Sequence, residues 1–493
     1  MRAVVPSTRY RDFIAVARRH APSTLLPALA AVSARQFDGG AYRHQADEVI
    51  YPWVIAAAAR ENIAFGNEYR SDKPITTTDL GRLRNTFTNL HDPFLNAVGE
   101  PGALDSFLVR VAFEQFPYQH SRYEDMSRIL LLFDRDYTGL GCAVTSTTAW
   151  ERLLCLPVDA FMRASFLILV SAHNNAGWFD PGWLSQPNVQ PALEAFKLTG
   201  DDVMNVFRRV FATDLATVKR RVAAERLQNE LLRRYEFNPL METPFVQMPD
   251  GRYLAPSTHF VAQRLSPASL YYVGLSLGVQ EVSSDLGKIT ETYVGEQLAL
   301  VDTELVLHDV EYAKGQRAAD YVVVLPGVTL VVEVKSARVA RLGRLDQAGY
   351  LDDLNKDVGK ALRQIQRTGN MIRASHAAFT QVDPTQEIRG IVVTAEPHYM
   401  LNSPAYRDQI ADPGFPTVIL SLSELEHAIA AAHAGRPADL FTALTAYGAN
   451  GIDVNEAIRS HEHALGIAGT RNPLLDAAYQ RAWGDISQAD TAS

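Results

Sequence analysis

Cysteine is scarce in this sequence, with Cys142 and Cys155 as its two representatives among 493 residues. Two isolated cysteines cannot build a disulfide framework or a cysteine-only zinc site, and they are typical of a reducing compartment. The sequence therefore predicts a cytoplasmic protein. It also lacks the glycine-rich motifs Gly-x4-Gly-Lys-Ser/Thr and Gly-x-Gly-x-x-Gly. Because such loops cradle nucleotide phosphates, we expect no requirement for ATP or a dinucleotide.

Long apolar runs are missing as well. The most apolar stretch, residues 161–172, contains Arg163 and is well short of the roughly 20 residues that a membrane span needs. It predicts a buried helix. Residues 1–22 contain arginines but no apolar stretch of signal-peptide length, so we expect neither export nor a membrane association.

An excess of positive charge is also absent, because 47 Lys and Arg stand against 56 Asp and Glu, for a net charge of -9. Any contact with nucleic acid must then come from a local basic surface. Hydrophobic residues make up 47% of the chain and charged residues 21%, which is typical of a folded protein. The length predicts at least two hydrophobic cores.

The hydrophobic pattern divides the chain into four regions. Residues 1–236 show the spacing of apolar residues typical of helices, for example over 53–64 and 104–116, whereas 203–232 predicts either one long helix or two. Residues 237–280 are rich in proline and predict an extended junction. Residues 281–425 predict an α/β domain, and 426–493 predict helices followed by a polar tail.

The α/β region has a defined order of predicted elements: helix, three strands, helix and two strands. The strands are rich in β-branched residues, and the helices have apolar residues three and four positions apart. The predicted helices cover 285–301 and 352–373, and the predicted strands cover 304–312, 320–325, 328–335, 388–394 and 417–420.

Two charged residues interrupt the third strand. Side chains alternate along a strand, so Glu333 and Lys335 share one face of Val331–Lys335. Asp320 begins the preceding strand, and Pro326 and Gly327 indicate a hairpin between the two strands. Because burial of unpaired charge is costly, these groups need partners, a cation or an open cleft. A divalent ion held by the two carboxylates would provide metal-assisted phosphodiester hydrolysis.

These residues and this order of elements resemble the PD-(D/E)XK nuclease superfamily, which has the restriction-endonuclease-like fold. The resemblance covers about residues 280–425 and includes Asp320 and the Glu333-Val334-Lys335 motif. It implies that Asp320 and Glu333 bind Mg²⁺ or Mn²⁺, with the Val334 carbonyl as a further ligand. Lys335 would position or help deprotonate the attacking water. Ala319 stands where the family motif often has proline.

The resemblance also implies contributions from the two helices. A glutamate on the first helix often completes the metal site, which points to Glu291, with Glu296 as the alternative. A polar residue on the second helix often lies near the phosphate. Gln364 is our choice there, with Lys360 and Gln366 as alternatives.

The expected function is a metal-dependent nuclease that acts on DNA rather than RNA. Residues 314–373 support phosphate binding, because 11 Lys or Arg against 6 Asp or Glu give this segment a charge of +5. Arg338, Arg341 and Arg344 follow the charged strand directly. The helical half would recognise a substrate, protein partner or trigger, as in restriction and anti-phage effectors, and relatives that cut both strands often form homo-oligomers. The alternative functions are a catalytically silent nucleic-acid-binding or scaffold protein, and an interaction protein whose charged strand is a solvated edge.

Two further motifs predict no chemistry. The segment Gly274–Gly278 matches the Gly-x-Ser-x-Gly pattern of hydrolases, but that motif needs a helix directly after it. The residues that follow predict an extended chain. His461 and His463 lack the four-residue spacing that aligns two helical histidines on one metal.

Overall fold

The chain forms two compact units in a computed structural model that describes residues 8–36, 42, 48–336, 338–339, 341, 343–345, 347–407, 409–450, 454–467 and 469–489. Unit 1 consists of residues 1–136, 145–276 and 478–493, and unit 2 of residues 137–144 and 277–477. The predicted division into at least two cores is thereby confirmed. The end of the predicted polar tail lies outside the described residues.

Unit 1 is mainly helical. Its helices are α1 (Tyr10–Ala17), α2 (Pro22–Gln36), α3 (Pro52–Phe65), α4 (Thr77–Thr88), α5 (Ala103–Gln115), α6 (Arg122–Phe133), α7 (Thr147–Leu154), α8 (Val158–Asn174), α9 (Gln190–Ala195), α10 (Gly200–Val206), α11 (Leu215–Ala224), α12 (Thr258–Gln263) and α13 (Pro267–Gly274). Pro52 begins α3, where its missing N–H would have no helical partner in any case. The predicted helices at 53–64 and 104–116 are therefore confirmed as α3 and α5.

A small sheet completes unit 1. Its strands are β1 (Trp178–Phe179), β2 (Ala212–Asp214), β3 (Phe245–Gln247) and β4 (Tyr253–Leu254), in the order β1-β4-β3-β2. Phe245, Val246, Leu254 and Phe260 are buried. Residues 237–280 are therefore not the extended junction that their prolines predicted, because tertiary packing orders them as strands and helices of unit 1. The division between the units falls at residues 276 and 277.

The segment predicted as one long helix or two at 203–232 is more broken than that. Helix α10 ends at Val206 and continues as a π-helical turn, Phe207–Phe211, before β2 and α11. The buried Phe207 ring stacks on Phe179 with 4.0 Å between centroids. Because β2 pairs with β3, sheet formation interrupts a stretch that has a helical pattern along its whole length.

The apolar stretch at 161–172 lies in α8, where most of its side chains are buried, as predicted. Together with α7 it forms Thr147–Asn174, the one helical region among the described residues that is long and apolar enough to cross a membrane. The most apolar 18 residues of that region have a mean hydropathy of 2.0, and 56% of them are buried inside the protein. Core helices of proteins in water meet the same criterion, so this feature is weak evidence for a membrane span.

Unit 2 is an α/β unit whose longer elements follow the predicted order, with a short strand at 316–317 and a short helix at 404–407 that the sequence did not predict. Its helices are α14 (Val279–Leu298), α15 (Gln347–Arg373), α16 (Pro404–Arg407), α17 (Leu422–His433), α18 (Pro437–Asn450) and α19 (Val454–Ala464). The last helix, α20 (Pro473–Ala489), begins in unit 2 and belongs to unit 1 from Ala478 onward. Its strands are β5 (Leu305–His308), β6 (Glu311–Ala313), β7 (Gln316–Arg317), β8 (Tyr321–Leu325), β9 (Val328–Lys335), β10 (Glu387–Thr394) and β11 (Thr417–Ser421). The strand predicted at 304–312 is two strands, β5 and β6. Residues after 425 belong to unit 2 as far as Ala477.

Five strands of unit 2 form one mixed sheet in the order β11-β10-β9-β8-β5. Strands β8 and β9 form an antiparallel hairpin across Pro326 and Gly327, and Gly327 has a φ of 78°, a conformation that favours glycine. Strand β10 runs parallel to β9 and to β11. The charged strand β9 is therefore central, and the interpretation of it as a solvated edge is wrong for this fold.

Helices cover both faces of this sheet. On one face, the Gln364 side chain of α15 contacts Lys335 of β9. On the other face, α14 accepts a hydrogen bond from Tyr321 of β8, and α18 accepts one from Arg389 of β10. A strand buried on both faces must be apolar along its length, which accounts for Val328–Val334 and makes the burial of Glu333 exceptional.

A short segment from early in the chain belongs to unit 2. Residues 137–144 contact α14, where the fully buried carboxylate of Asp285 accepts hydrogen bonds from the backbone N–H groups of Ala143 (2.7 Å) and Val144 (2.9 Å). The Lys288 ammonium donates to the carbonyl of Gly141. The segment is therefore held by the helix that carries Glu291, although residues of unit 1 flank it on both sides in sequence.

Replacing Asp285 with alanine should destabilise unit 2. Two backbone donors would lose a charged acceptor, which costs about 3 kcal/mol in the free energy of unfolding. Urea unfolding followed by far-ultraviolet circular dichroism measures this change, while fluorescence of the tryptophans, all of which lie in unit 1, follows unit 1 separately. The exposed Asp302→Ala substitution in unit 2 is the matched control. Equal midpoints for the two variants would contradict the anchoring role of Asp285.

Candidate active site at the end of the central strand

The carboxyl end of β9 brings together the charged residues that the sequence singled out. The Lys335 ammonium donates to Glu333 Oε1, and it lies 3.2 Å from Gln364 Oε1. Glu333 Oε2 accepts from the backbone N–H of Asp320 at 3.3 Å, and Asp320 Oδ2 accepts from the N–H of Val334 at 2.7 Å. Four of the predicted side chains therefore form one connected group with the Val334 backbone.

Strand geometry explains why Asp320 and Glu333 lie close together. Tyr321 pairs with Val332 in the hairpin, which places Asp320 across from Glu333, and directly paired residues have side chains on the same face. The backbone groups of Val334 point toward β8, because its N–H reaches Asp320 and the N–H and C=O of one strand residue point to the same side. The Val334 carbonyl is thus directed toward the side of the strand where Asp320 lies.

Burial raises the pKa of both carboxyl groups. The pKa of Asp320 rises to about 6, mainly through loss of hydration, against the effects of the Val334 N–H and Lys335. The pKa of Glu333 rises to about 7, again mainly through loss of hydration, with further repulsion from Asp320. The Glu333 side chain is 1% exposed and that of Lys335 is 18% exposed. One ammonium therefore compensates the two carboxylates incompletely.

Glu291 approaches the group from α14. Its carboxylate raises the pKa of Asp320, and its Oε1 lies 2.9 Å from His308 Nε2. The alternative, Glu296, acts instead on the pKa of Tyr321. Of the two glutamates left open by the sequence, Glu291 is therefore the one with a direct effect on the Asp320 carboxylate.

Helix α15 presents one of its three candidate residues to the site. Gln364 contacts Lys335, whereas Gln366 is exposed and donates to the carbonyl of Asp412, and Lys360 is exposed. One turn after Gln364, the buried Thr368 hydroxyl accepts from the N–H of Ala319 at 2.8 Å. The sequence analysis missed Thr368, although its spacing of four residues from Gln364 is a signal for the same helix face.

The basic segment after β9 is less available for binding phosphate than its charge suggested. The Arg338 guanidinium, 12% exposed, forms an ion pair with Glu396, and Arg344 Nη2 lies 3.9 Å from the same carboxylate. The expectation that both arginines face a phosphate backbone is therefore not met in this conformation. The sequence analysis missed Glu396 because it lies 58 residues beyond Arg338 and meets it only after β10 pairs with β9.

The donor atoms at the site fit a hard divalent cation in chemical type. Asp320, Glu333 and Glu291 offer carboxylate oxygens, and Val334 offers a carbonyl, which are the ligands that Mg²⁺ and Mn²⁺ prefer. In the described part of the chain, no group of three or more His, Cys, Asp and Glu side chains is already arranged to hold a metal. Glu333 is paired with Lys335 instead, so metal binding would require this ion pair to open or share its oxygen.

The other motifs carry no comparable chemistry. A helix, α14, does follow the segment Gly274–Gly278, so the extended chain predicted there is wrong. The strand that a nucleophile elbow also needs is absent, because α13 ends at Gly274. His461 lies in α19 and contacts the carbonyl of Gly435.

Unit 1 contains a cavity of about 410 Å³. Its lining includes Tyr10, His91, Glu230 and Arg234. Arg234 forms a two-point ion pair with Glu114, so its charge is already compensated inside the protein. Arg9 and Glu230 bring charges of opposite sign to the same lining, so its charge does not identify a ligand.

Comparison with known proteins assigns neither a family nor a function to this chain. No protein-family model matches this sequence, and no curated protein matches it either.

The raised pKa of Glu333 predicts a pH-dependent difference in stability between the parent protein and Glu333→Gln. A carboxyl group whose pKa is higher in the folded state contributes most below its unfolded pKa, near 4.5, and loses that contribution as the pH rises through about 7. In chelator, the variant should therefore gain stability relative to the parent between pH 5 and pH 8, by at most about 3 kcal/mol. Urea unfolding at both pH values measures this difference. A difference independent of pH would disagree with the buried, repelled carboxylate.

Proposed function

We propose that this protein is a metal-dependent nuclease of the PD-(D/E)XK type whose active site is the group at the carboxyl end of β9. The observation that carries the proposal is the convergence of Asp320, Glu333, Lys335 and Gln364 in one hydrogen-bonded group on a central strand. A packed, apolar strand gains no stability from such charges. Their presence at its end is better explained by chemistry than by folding.

The electrostatics of the group favour a cation. Glu333 is buried, and both it and Asp320 have pKa values raised mainly by loss of hydration, so a positive ion beside them would stabilise their charged forms. Lys335 provides one positive charge, while Asp320, Glu333 and Glu291 together bring three acidic groups to the region. A divalent ion with oxygen ligands restores the balance of charge.

Each residue then has a defined task in phosphodiester hydrolysis. Asp320, Glu333 and Glu291 would hold Mg²⁺ or Mn²⁺, together with the carbonyl of Val334. Such an ion, when bound, would supply an activated water and would stabilise the charge that develops on the phosphate. The Lys335 ammonium positions the attacking water, and Lys335 Nζ accepts a proton from that water only after the ammonium has lost one of its own protons. Gln364 Oε1, at 3.2 Å, orients the Lys335 ammonium and keeps it at the end of the strand.

The proposed substrate is DNA rather than RNA, and the proposed setting is the cytoplasm. The build of a long helical unit joined to a small nuclease unit resembles restriction and anti-phage effectors, an analogy at the level of architecture. In this proposal unit 1 recognises the target, a protein partner or a trigger. Cleavage of both strands would require a homo-oligomer or two successive cuts.

A second candidate function is that of a nucleic-acid-binding or scaffold protein without turnover. The ion pair between Lys335 and Glu333 favours it, because it occupies a carboxylate that a metal would need. Metal dependence separates the two functions. A binding protein associates with nucleic acid equally well in chelator, whereas a nuclease requires the metal for cleavage.

Substitution at the site should abolish cleavage. We expect the intact protein with Mg²⁺ or Mn²⁺ to cut supercoiled, linear or single-stranded DNA, and Asp320→Ala and Lys335→Ala each to lower the rate by about 100-fold or more, since preorganised charges at an active site typically contribute that much. RNA is tested in parallel. Gel assays of the full chain, with circular dichroism to verify folding, provide the measurement.

Lys356→Ala is the matched control, because Lys356 is also on unit 2, in α15, and its side chain is 73% exposed. The control should cut at the parental rate. If the parent fails to cut any of these substrates, or if the Asp320 and Lys335 variants cut as fast as the control, the proposed active site is wrong.

A further inference from the structure

Glu291 is held from a neighbouring strand as well as by its own helix. His308 Nε2, at the end of β5, lies 2.9 Å from Glu291 Oε1. Both side chains are partly open to solvent, with 50% of His308 and 35% of Glu291 exposed. An ion pair or hydrogen bond with that exposure contributes little to folding stability. Its effect is therefore to fix the direction of one carboxylate.

Tyr321 contacts both His308 and Glu291. Its ring stacks on the His308 ring with 4.5 Å between centroids and an interplanar angle of 16°, as expected for residues paired across β5 and β8. Its hydroxyl donates to the backbone carbonyl of Glu291 at 2.9 Å. The His308–Tyr321 pair thus holds Glu291 at two points, the carboxylate and the main chain.

Gly295 permits this arrangement. A Cβ atom at position 295 would lie 2.5 Å from the Tyr321 hydroxyl oxygen, well inside van der Waals contact. Glycine within a helix costs about 1 kcal/mol relative to alanine. Its presence in α14 therefore lowers helix stability and in return allows the close approach of Tyr321. Helix, tyrosine and histidine therefore fit together around Glu291.

The connection to the active site is covalent. Tyr321 directly follows Asp320 in the chain, so the carboxylate that precedes β8 and the hydroxyl that holds α14 belong to consecutive residues. Asp320 and Glu291 come from opposite faces of the sheet and meet only at its end. Their spacing depends on how α14 is fixed to β5 and β8 at this point, and His308 and Tyr321 both provide contacts with that effect.

We propose that His308 and Tyr321 are positioning residues that set Glu291 as the third carboxylate of the divalent-cation site and thereby set the affinity for the metal. This inference rests on the proposed function. Partners that orient metal ligands commonly change metal affinity by 10- to 100-fold when they are removed. The His308–Tyr321 pair should act in this way without contacting the metal.

Direct binding of Mn²⁺ to the full chain, measured by electron paramagnetic resonance without any substrate, tests the proposal. We expect His308→Ala to weaken binding by about 10-fold or more. His308→Gln, which keeps a donor for Glu291, should restore binding to within about 3-fold of the parent. Tyr321→Phe should weaken binding because it removes the donor to the Glu291 carbonyl. Gly295→Ala should do the same by displacing the hydroxyl, without altering either positioning residue.

Two control variants distinguish failure of the proposed function from failure of the positioning role alone. His463→Ala removes an exposed histidine elsewhere in unit 2 and should bind Mn²⁺ like the parent, and Asp320→Asn should abolish binding. If the parent binds no Mn²⁺, the proposed function falls and this inference falls with it. If the parent binds Mn²⁺ and Asp320→Asn does not, but His308→Ala matches the His463 control, the positioning role alone is wrong.

Mn²⁺ binding and the melting temperature together distinguish a positioning role of His308 from a structural one. His308→Ala should leave the melting temperature in chelator unchanged, because the His308 side chain is half exposed. If His308→Ala and His308→Gln lose Mn²⁺ equally, or if both melt well below the parent, the loss comes from the fold and the proposed hydrogen-bond role is overturned.

Discussion

The burial of two carboxyl groups beside one ammonium at the end of β9 is the constraint on which the rest of unit 2 depends. A charge removed from water is tolerated only where hydrogen bonds and opposite charge replace its hydration. Here the replacements are the N–H groups of Asp320 and Val334 and the Lys335 ammonium. They are incomplete, since the pKa values of both carboxyl groups stay raised. Such an unrelieved electrostatic cost is characteristic of sites that bind an ion or perform chemistry.

The position of this group at the end of the sheet gives it access to both faces. Within the sheet, side chains on opposite faces are separated by the strands themselves. At the end of β8 and β9, Gln364 of α15 reaches Lys335 from one face, while Glu291 of α14 acts on Asp320 from the other. The helices are held in place by contacts outside the site, namely Thr368 with Ala319 and Tyr321 with the Glu291 carbonyl. The proposed chemistry therefore depends on residues whose own side chains do none of it.

The two units differ in how clearly local sequence patterns indicate their strands. Unit 1 places its strands in short segments between helices, and these segments form one sheet through pairing of distant residues such as Trp178 with Leu254 and Ala212 with Phe245. Unit 2 has longer strands with a strong β-branched pattern. Even there, a segment from residues 137–144 completes the surroundings of Asp285, a contact that spans more than 140 positions of the chain and has no local signal.

The sequence by itself determined the order of helices and strands in unit 2 and the shared face of Glu333 and Lys335, because periodicity and turn chemistry are local properties. It also predicted Asp320 beside them, since a hairpin relates positions close in sequence. The tertiary structure decided the rest. The effect of Glu291 on the Asp320 pKa, the contact of Glu291 with His308, and the pairing of Arg338 with Glu396 all depend on which distant elements pack together. The strands of 237–280 likewise depend on partners elsewhere in unit 1, and a proline-rich pattern carries no information about those partners.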